Sequence, residues 1–241
     1  MTTLVLGASG ATGNKLVDQL LQNGHEVKVA VRSPDKLPES WGQNKHVEII
    51  HANISDLTID EMVRLLSDCE SVVSCLGHNL NLKGIYGKPR RLVTDAISLT
   101  CQAIRKMAPQ KPIKVILMNT SGNRNRDLDE PISPGERLVI SLLRLLVPPH
   151  SDNEQAAEYL RVNVGQNDPA IKWVVVRPDT LIDDSLVTEY QAYVSPIRSP
   201  IFNAGKTSRI NVGNFMARLL SDPVLWNEWE SQMPVLYNTT S

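Results

Sequence analysis

The sequence predicts an α/β fold of the Rossmann type, a doubly wound parallel sheet with helices on both faces. Short runs of Val, Ile and Leu alternate with amphipathic stretches along most of the chain. A glycine-rich segment lies directly between the first apolar run and the first amphipathic stretch. The chain has 241 residues, 41% of them hydrophobic, which suits one large domain with a small annex on its C-terminal, substrate side.

Apolar runs of strand length predict six parallel strands, at residues 3–6, 27–31, 47–50, 71–76, 115–118 and 173–176. Leucines on one face of residues 11–22 predict the first helix, which Gly24 ends as a C-terminal cap. The stretch 123–134 is polar and rich in Asp, Arg and Pro, so it is predicted to be a surface loop.

Two more helices are predicted between these strands. Residues 59–66 have a helical pattern, with Thr58 or Asp56 as the N-terminal cap. Residues 92–107 fit a long helix that Pro109 stops.

The alternating pattern weakens after Pro178. Residues 190–200 suit a loop or hairpin on the substrate side, because ligands in doubly wound folds lie beyond the C-terminal ends of the strands. Further elements are predicted at residues 212–220 (a helix capped by Ser208 or Asn211), 225–229 (a short helix) and 235–237 (a strand). We therefore divide the chain into a Rossmann-type domain at 1–183 and an extension at 184–241 that packs on the same domain.

Composition excludes several classes of function. Lys and Arg number 25 against 26 Asp and Glu, and the net charge of -1 gives no basic field for nucleic acid or for an anionic membrane. An odd count of three cysteines argues against a disulfide framework. No apolar run is long enough to span a bilayer, the start lacks a signal peptide, and the histidines lack metal-ligand spacing. We expect a cytoplasmic monomer or homodimer that binds a small-molecule substrate and no metal.

The strongest chemical signal is the segment Gly-Ala-Ser-Gly-Ala-Thr-Gly at residues 7–13. In this context Gly7 permits a sharp exit from the strand, Gly10 leaves room for a pyrophosphate, and Gly13 allows tight packing of the helix on the sheet. Free N–H groups at the start of the helix favour an anion. The alternative is a glycine turn with no ligand. The segment predicts a dinucleotide whose phosphates contact Gly7, Ser9, Gly10, Ala11, Thr12 and Gly13.

The end of the second strand indicates which nucleotide binds. An NAD site usually has an acidic residue there, whereas this chain has Arg32 and Ser33, and its nearest acid is Asp35. Arg32 suits a 2′-phosphate through a charge-assisted contact, and Ser33 suits a further hydrogen bond. NADP, as NADPH, is the predicted cofactor. The alternative is that Arg32 lies on a solvated loop.

Five segments together resemble the atypical short-chain dehydrogenases. They are Leu-Gly-Ala-Ser-Gly-Ala-Thr-Gly, Val-Arg-Ser, Ser-Cys-Leu-Gly, Asn-Thr-Ser-Gly and Val-Val-Arg-Pro, in this order along the chain. Within that superfamily the chain is similar to the NAD(P)H-binding group that includes NmrA-like proteins and biliverdin/flavin reductases. The resemblance covers residues 1–183 and names no substrate.

The resemblance implies further site residues. It places the turn at 75–77 along the ribose of the cofactor, Asn53 near the adenine, and Thr120 and Ser121 at the nicotinamide. For Ser121, a candidate catalytic residue, the alternative is a simple turn at the end of a strand. The turn at 75–77 supplies the implied contacts Cys75, Leu76 and Gly77. The segment 177–179 closes the far side of the ring through Pro178, for which the alternative is a simple chain reversal.

The chain departs from the resemblance at the catalytic pair. Active relatives often carry Tyr-x-x-x-Lys, in which the Tyr donates a proton, and this chain has no such sequence. The matching positions hold His150 and Glu154. His150 is a candidate replacement donor, because imidazole titrates near neutral pH. The alternative is a loop histidine before a helix capped by Ser151 or Asp152.

Residues 138–147 are apolar on most sides, which predicts a helix buried within the monomer, with a pocket wall or a dimer face as alternatives.

Together these features predict an NADPH-dependent oxidoreductase that acts on a flavin, quinone or carbonyl acceptor without the Tyr/Lys pair. The alternative is a non-catalytic, redox-sensing regulator of the NmrA-like type that binds NADP(H). An epimerase or dehydratase of nucleotide sugars comes last, because it normally needs the missing pair.

Overall fold

One sheet of eight strands forms the centre of the computed structural model, which describes residues 1–78 and 86–239. The strands of the chain are β1 (Thr2–Leu6), β2 (Glu26–Val31), β3 (Val47–His51), β4 (Ser71–Ser74), β5 (Ile113–Met118), β6 (Ile171–Pro178), β7 (Thr180–Ile182), β8 (Tyr190–Tyr193), β9 (Lys206–Ser208) and β10 (Val235–Asn238). The order in the main sheet is β3-β2-β1-β4-β5-β6-β10-β8. All neighbours are parallel except β8 and β10, which confirms the predicted Rossmann-type fold.

Helices cover both faces of this sheet. They are α1 (Ala11–Gln22), α2 (Glu39–Gly42), α3 (Ile59–Leu66), α4 (Leu92–Met107), α5 (Pro134–Leu146), α6 (Pro148–Glu158), α7 (Arg209–Ser221) and α8 (Pro223–Trp229). Helices α1 and α7 pack together on one face, and α3, α4 and α6 pack on the other. Among the described residues, no helix has the length and apolar character that crossing a bilayer requires.

Strand β1 shows why the strands are continuous apolar runs. Leu4 and Leu6 belong to the core beneath α3 and α4, whereas Val5 between them belongs to the core beneath α1 and α7. All three side chains are fully buried. Alternate residues therefore face two different cores, and each position of the strand needs an apolar side chain.

Side-chain caps set the start of several helices. Thr58 caps α3 in a capping box with Glu61, so Thr58 rather than Asp56 is the cap. Ser208 caps α7 by accepting a hydrogen bond from the N–H of Asn211, which selects Ser208 between the two predicted candidates.

The C-terminal extension joins the main sheet. Strand β10 pairs with β6 in parallel and with β8 in an antiparallel ladder, so residues 190–193 form an edge strand of the sheet and neither a loop nor a hairpin. Strands β7 and β9 pair in a separate two-stranded sheet beside it.

The polar stretch 123–134 is not a solvated surface loop throughout. Asn123, Asn125 and Glu130 are buried, because the guanidinium of Arg177 lies beneath them. Arg177 donates to the carboxylate of Glu130 at 2.7 Å and to the carbonyl of Asn123 at 2.7 Å. A buried arginine therefore fixes this loop to the end of β6.

The prediction that the apolar helix is buried was wrong. Helix α5 buries Ile140 and Glu136, whereas its leucines lie on the outer side. The exposed leucines are Leu138, Leu142, Leu145 and Leu146. A helix whose residues are apolar on most sides is therefore not always buried within the protein.

Candidate functional site

A cleft lies at the C-terminal ends of β1, β2 and β4. Its volume is about 300 Å³, and its lining includes nine of the predicted cofactor contacts, namely Gly7, Ser9, Gly10, Arg32, Ser33, Asn53, Cys75, Leu76 and Gly77. Sequence reasoning missed Ile54, Pro89 and Leu92, which also line the cleft. Ile54 directly follows the predicted contact Asn53, whereas no local pattern connects Pro89 and Leu92 with the cleft. Ala11, Thr12 and Gly13 lie next to the lining, at the start of α1.

The glycine loop is closed too tightly for side chains. Gly7 has φ +80°, and a Cβ on it would lie 2.7 Å from the carbonyl carbon of Cys75, the residue that directly follows β4. A Cβ on Gly13 would overlap the carbonyl oxygen of Gly7. These contacts are with backbone atoms, which cannot rotate away, so both positions require glycine. The loop is therefore a cradle of bare backbone, as pyrophosphate binding needs.

The N-terminus of α1 is left open. Its cap residue, Gly10, offers no side chain, and the first turn holds no acidic residue. In contrast, side chains cap α3, α5, α7 and α8. An uncapped helix start beside a glycine cradle attracts an anion through its free N–H groups and its dipole. The residues present thus fit the phosphates of a dinucleotide.

The far end of the cleft holds the residues predicted for the adenosine half. Arg32 and Ser33 are exposed at its edge. The carbonyl of Arg32 accepts a hydrogen bond from Nε2 of His51 at 2.9 Å, which fixes the backbone there. The amide of Asn53 donates to the carboxylate of Asp56 at 2.7 Å. Both the guanidinium and the amide are therefore presented to the cleft from anchored segments.

A second and larger cavity opens beyond the ends of β5 and β6. Its volume is about 440 Å³. Residues from three segments line it, namely Ser121, Gly122, Arg124, Glu130, Pro131, Ile132, Ser133, Glu136, Ile140, Pro196, Ile197, Arg198, Ser199 and Pro200. Cavities at this edge of an open α/β sheet are the usual place for a ligand.

Ser121 lies at the inner end of this second cavity. Its N–H donates to the carbonyl of Pro178 at 2.9 Å, so the two predicted residues are neighbours. Its hydroxyl lies near the carboxylate of Asp179, which accepts hydrogen bonds from the N–H groups of Thr180 and Gly205. Burial raises the pKa of Asp179 above its ordinary value despite these hydrogen bonds. The serine hydroxyl is thus beside a buried carboxylate.

Thr120 precedes Ser121 in the same turn, and its hydroxyl accepts a hydrogen bond from the N–H of Gly122 at 3.3 Å. The turn is fastened to helix α6 by Asn119, whose amide donates to the carbonyl of Asn153 at 2.9 Å. The predicted nicotinamide-side residues and helix α6 therefore form one connected unit.

His150 lies inside helix α6, not in a loop before it. The helix begins at Pro148, so neither Ser151 nor Asp152 is its cap. The Cε1 atom of His150 is 3.8 Å from the position that a Cβ of Gly122 would take, which places the ring beside the Ser121 turn. Its Nε2 is buried and has no hydrogen-bond partner among the described residues.

The acid that replaces the expected lysine is Glu154, one helical turn after His150. Its Oε1 is 3.6 Å from Nε2 of His150. Arg144 of α5 donates to both of its carboxylate oxygens, at 2.7 and 2.8 Å. Burial acts to raise the pKa of Glu154, but His150 and Arg144 outweigh burial and lower the pKa to about 2. The imidazole is therefore held beside a permanent negative charge.

Asp152 has a role that sequence reasoning missed. Its fully buried carboxylate accepts hydrogen bonds from the N–H groups of Val93 and Thr94, at 2.8 and 2.9 Å, and so caps α4 from another helix. It also accepts a hydrogen bond from Nε2 of His78 at 2.7 Å. Because His78 follows Gly77 directly, this contact connects the wall of the cofactor cleft to α6.

Thiol and metal chemistry find no support in the described residues. Burial raises the pKa of all three cysteines, Cys69, Cys75 and Cys101, to about 12, so each is a neutral thiol. No group of three His, Cys, Asp or Glu side chains lies close enough together to hold a metal ion in the part of the chain that the structure describes.

In a comparison against known protein families, the NAD(P)H-binding family matches residues 7–223. This match agrees with the glycine cradle and the two cavities. The chain belongs to this NAD(P)H-binding family. The resemblance inferred from the five sequence segments is thereby confirmed. An uncharacterized chloroplastic protein of Arabidopsis thaliana is 26% identical over 195 residues, which cover 79% of this chain and 69% of that protein.

Solved structures share the fold of this chain. A short-chain dehydrogenase/reductase from Veillonella parvula, determined in complex with NADP, has a TM-score of 0.71 and 16% identity, and the match covers 99% of this chain and 95% of that one. ChuY, an anaerobillin reductase from Escherichia coli O157:H7, has a TM-score of 0.69 and 14% identity, with 100% and 98% covered. At these identities the likeness extends to the fold alone.

Proposed function

We propose that this protein is an NADPH-dependent oxidoreductase that reduces a small organic acceptor of the flavin, quinone or carbonyl type. The observation that carries the proposal is the position of two cavities at one edge of the sheet. The bare glycine cradle lies in the first, and a cavity of about 440 Å³ lies at the ends of the next strands. When bound, the cofactor supplies a hydride, and the protein supplies orientation and a proton.

The preference for NADP over NAD is part of this proposal. Arg32 and Ser33 lie at the end of β2, where NAD enzymes usually carry an acid for the ribose hydroxyls. A guanidinium at this place favours a 2′-phosphate, because it offers paired N–H donors to a dianion.

His150 is the proton donor in this proposal. The carboxylate of Glu154 lies 3.6 Å from Nε2 of His150 and orients the imidazole, and Arg144 holds that carboxylate in place. Ser121 lines the larger cavity and orients the acceptor by a hydrogen bond from its hydroxyl. Thr120 and Pro178 lie beside Ser121. After His150 has given its proton to the reduced acceptor, solvent supplies the next proton.

The extension at 184–241 forms the outer wall on the substrate side, since Pro196, Ile197 and Arg198 line the larger cavity. We further propose that the protein acts as a monomer or homodimer in the cytoplasm.

The second candidate is a regulator that binds NADP(H) without turnover. The observation that favours it is the replacement of the expected Tyr and Lys by His150 and Glu154. Such a regulator needs the cofactor cleft and has no need of a proton donor.

The two candidates are separated by NADPH oxidation measured with a panel of FMN, a soluble quinone and an aromatic aldehyde. We expect turnover with at least one acceptor. His150→Gln is expected to lower kcat by about a hundredfold, the usual contribution of a general acid, with unchanged NADPH affinity. His46→Gln, at an exposed histidine paired with Glu26, is the control and keeps full activity. Tight NADPH binding without turnover by any acceptor would support the regulator instead.

A further inference from the structure

The larger cavity combines an apolar wall with charged groups. Ile132, Ile140 and Ile197 contribute to its lining together with Pro131, Pro196 and Pro200. A wall of this kind suits a flat, apolar or aromatic body. The charged groups in the same lining then determine which polar substituent that body carries.

Both carboxylates of the lining are already satisfied by the protein. Glu130 is buried and forms an ion pair with Arg177 at 2.7 Å. Glu136 accepts a hydrogen bond from the N–H of Ser133 at 2.9 Å and lies near the Ser199 hydroxyl. The Ser199 contact is the main reason why the pKa of Glu136 is below its ordinary value. Neither carboxylate is therefore available to bind a cationic ligand.

The two arginines of the lining differ from these acids. Arg124 donates from Nη2 to the carbonyl of Glu130, but its buried Nε has no partner among the described residues. Arg198 is exposed at the rim, above the buried carboxylate of Asp179. The lining thus contains two guanidinium groups from different segments, an exposed one at Arg198 and a half-buried one at Arg124.

We propose that the substrate of this cavity is an apolar, aromatic acceptor that carries a carboxylate, and that Arg124 and Arg198 bind the carboxylate. This inference rests on the proposed function, since it assumes that the larger cavity is the acceptor site. The guanidinium fork matches the two oxygens of a carboxylate, and the surrounding apolar wall strengthens the interaction by excluding water. An acceptor without the anion leaves both arginines unpaired and binds less tightly.

Calorimetric titration of the NADP⁺-saturated protein tests this inference without turnover. The probes are anthraquinone-2-carboxylate and its methyl ester, which share the apolar body and differ in charge. We expect the carboxylate to bind at least about tenfold more tightly than the ester, as for a charge-assisted hydrogen bond. Arg198→Gln and Arg124→Gln each reduce this preference, and the double variant removes it.

Arg126→Gln is the matched control. Arg126 lies two residues from Arg124 on the same loop, is 3.5 Å from Glu158 and does not line the cavity. It should leave the preference unchanged. Because Arg198 is exposed, its variant is expected to fold normally even where Arg124→Gln disturbs the loop.

Equal affinities for the carboxylate and the ester would overturn the inference. So would an unchanged preference for the carboxylate in Arg198→Gln, or the absence of binding by either probe. Failure of the proposed function is a different result, namely no oxidation of NADPH with any acceptor while the carboxylate preference persists.

Discussion

Replacing Gly7 by alanine tests whether the cradle depends on backbone packing, and Gly24 provides a matched control. Both residues have left-handed backbone conformations, with φ +80° and +76°. They differ in their surroundings. A Cβ on Gly7 would lie 2.7 Å from both the carbonyl carbon and oxygen of Cys75, whereas a Cβ on Gly24 would meet nothing within 4 Å.

The magnitudes follow from these two environments. An alanine with a left-handed conformation costs about 1–2 kcal/mol, and this cost applies to both variants. Gly7→Ala adds an overpacking cost of about 1–3 kcal/mol, because the backbone at the exit of β4 must move. Gly7→Ala should therefore lower the free energy of unfolding by roughly twice as much as Gly24→Ala, or more.

Urea denaturation of both variants and the wild type measures this difference, and NADPH titration measures its functional effect. We expect Gly24→Ala to keep the wild-type affinity. Gly7→Ala should lose affinity, because the movement displaces Gly10 and the start of α1. Equal destabilisation of the two variants, or full NADPH affinity in Gly7→Ala, would refute the reasoning.

Three further variants address charge. Arg32→Glu is expected to reverse the preference for NADPH over NADH by about tenfold or more, since it puts a carboxylate beside the 2′-phosphate; fluorescence titration with both cofactors measures this. Glu154 has a folded-state pKa of about 2 against an ordinary 4.5, so its carboxylate stabilises the fold fully above pH 4.5 and loses this effect as the pH falls towards 2. Glu154→Gln should remove that loss, as urea midpoints across this pH range will show. Arg177→Met is expected to cost about 3–5 kcal/mol because it leaves Glu130 buried and unpaired, and Arg177→Met/Glu130→Gln should cost less.

Each of these three has a clear opposite result. An unchanged cofactor ratio in Arg32→Glu would mean that the arginine is only solvated. Identical acid sensitivity of the wild type and Glu154→Gln would show that other carboxylates dominate below pH 4.5. A double variant at 177 and 130 that is less stable than Arg177→Met alone would show that the Glu130 carboxylate stabilises the loop without Arg177, through its hydrogen bond from the N–H of Asn125.

The sheet and the cofactor cleft were predictable because their signals are local. Each strand is buried on both faces, so its apolar run is continuous, and strand order follows from the usual winding of such units. The glycine segment 7–13 lies in one piece of sequence, and Arg32 ends the very next strand. Short-range patterns were therefore enough to predict the fold. Nine of the residues predicted to contact the cofactor line one cleft.

The remaining features depend on contacts between distant segments. Asp152 caps α4 through residues 58 and 59 positions away, and no helical pattern around Asp152 indicates that partner. Arg177 is fully buried although arginine is normally solvated. Glu130 balances its charge, and three carbonyl groups from other segments accept hydrogen bonds from its guanidinium. The exposed side chain of Leu145 shows another limit of the sequence. The pattern identifies the apolar residues of a helix but does not show which of them another segment covers.

The position of β10 in the sheet has a consequence for biosynthesis. Strand β8 is made before β10 but lies outside it, so β8 has no neighbour in the sheet until β10 has left the ribosome. Until then the outer edge of β6 is also open. An open edge of a parallel sheet can pair with other chains. The nascent protein is therefore most vulnerable to aggregation late in translation, and a chain that stops before Val235 should depend on chaperones or be degraded.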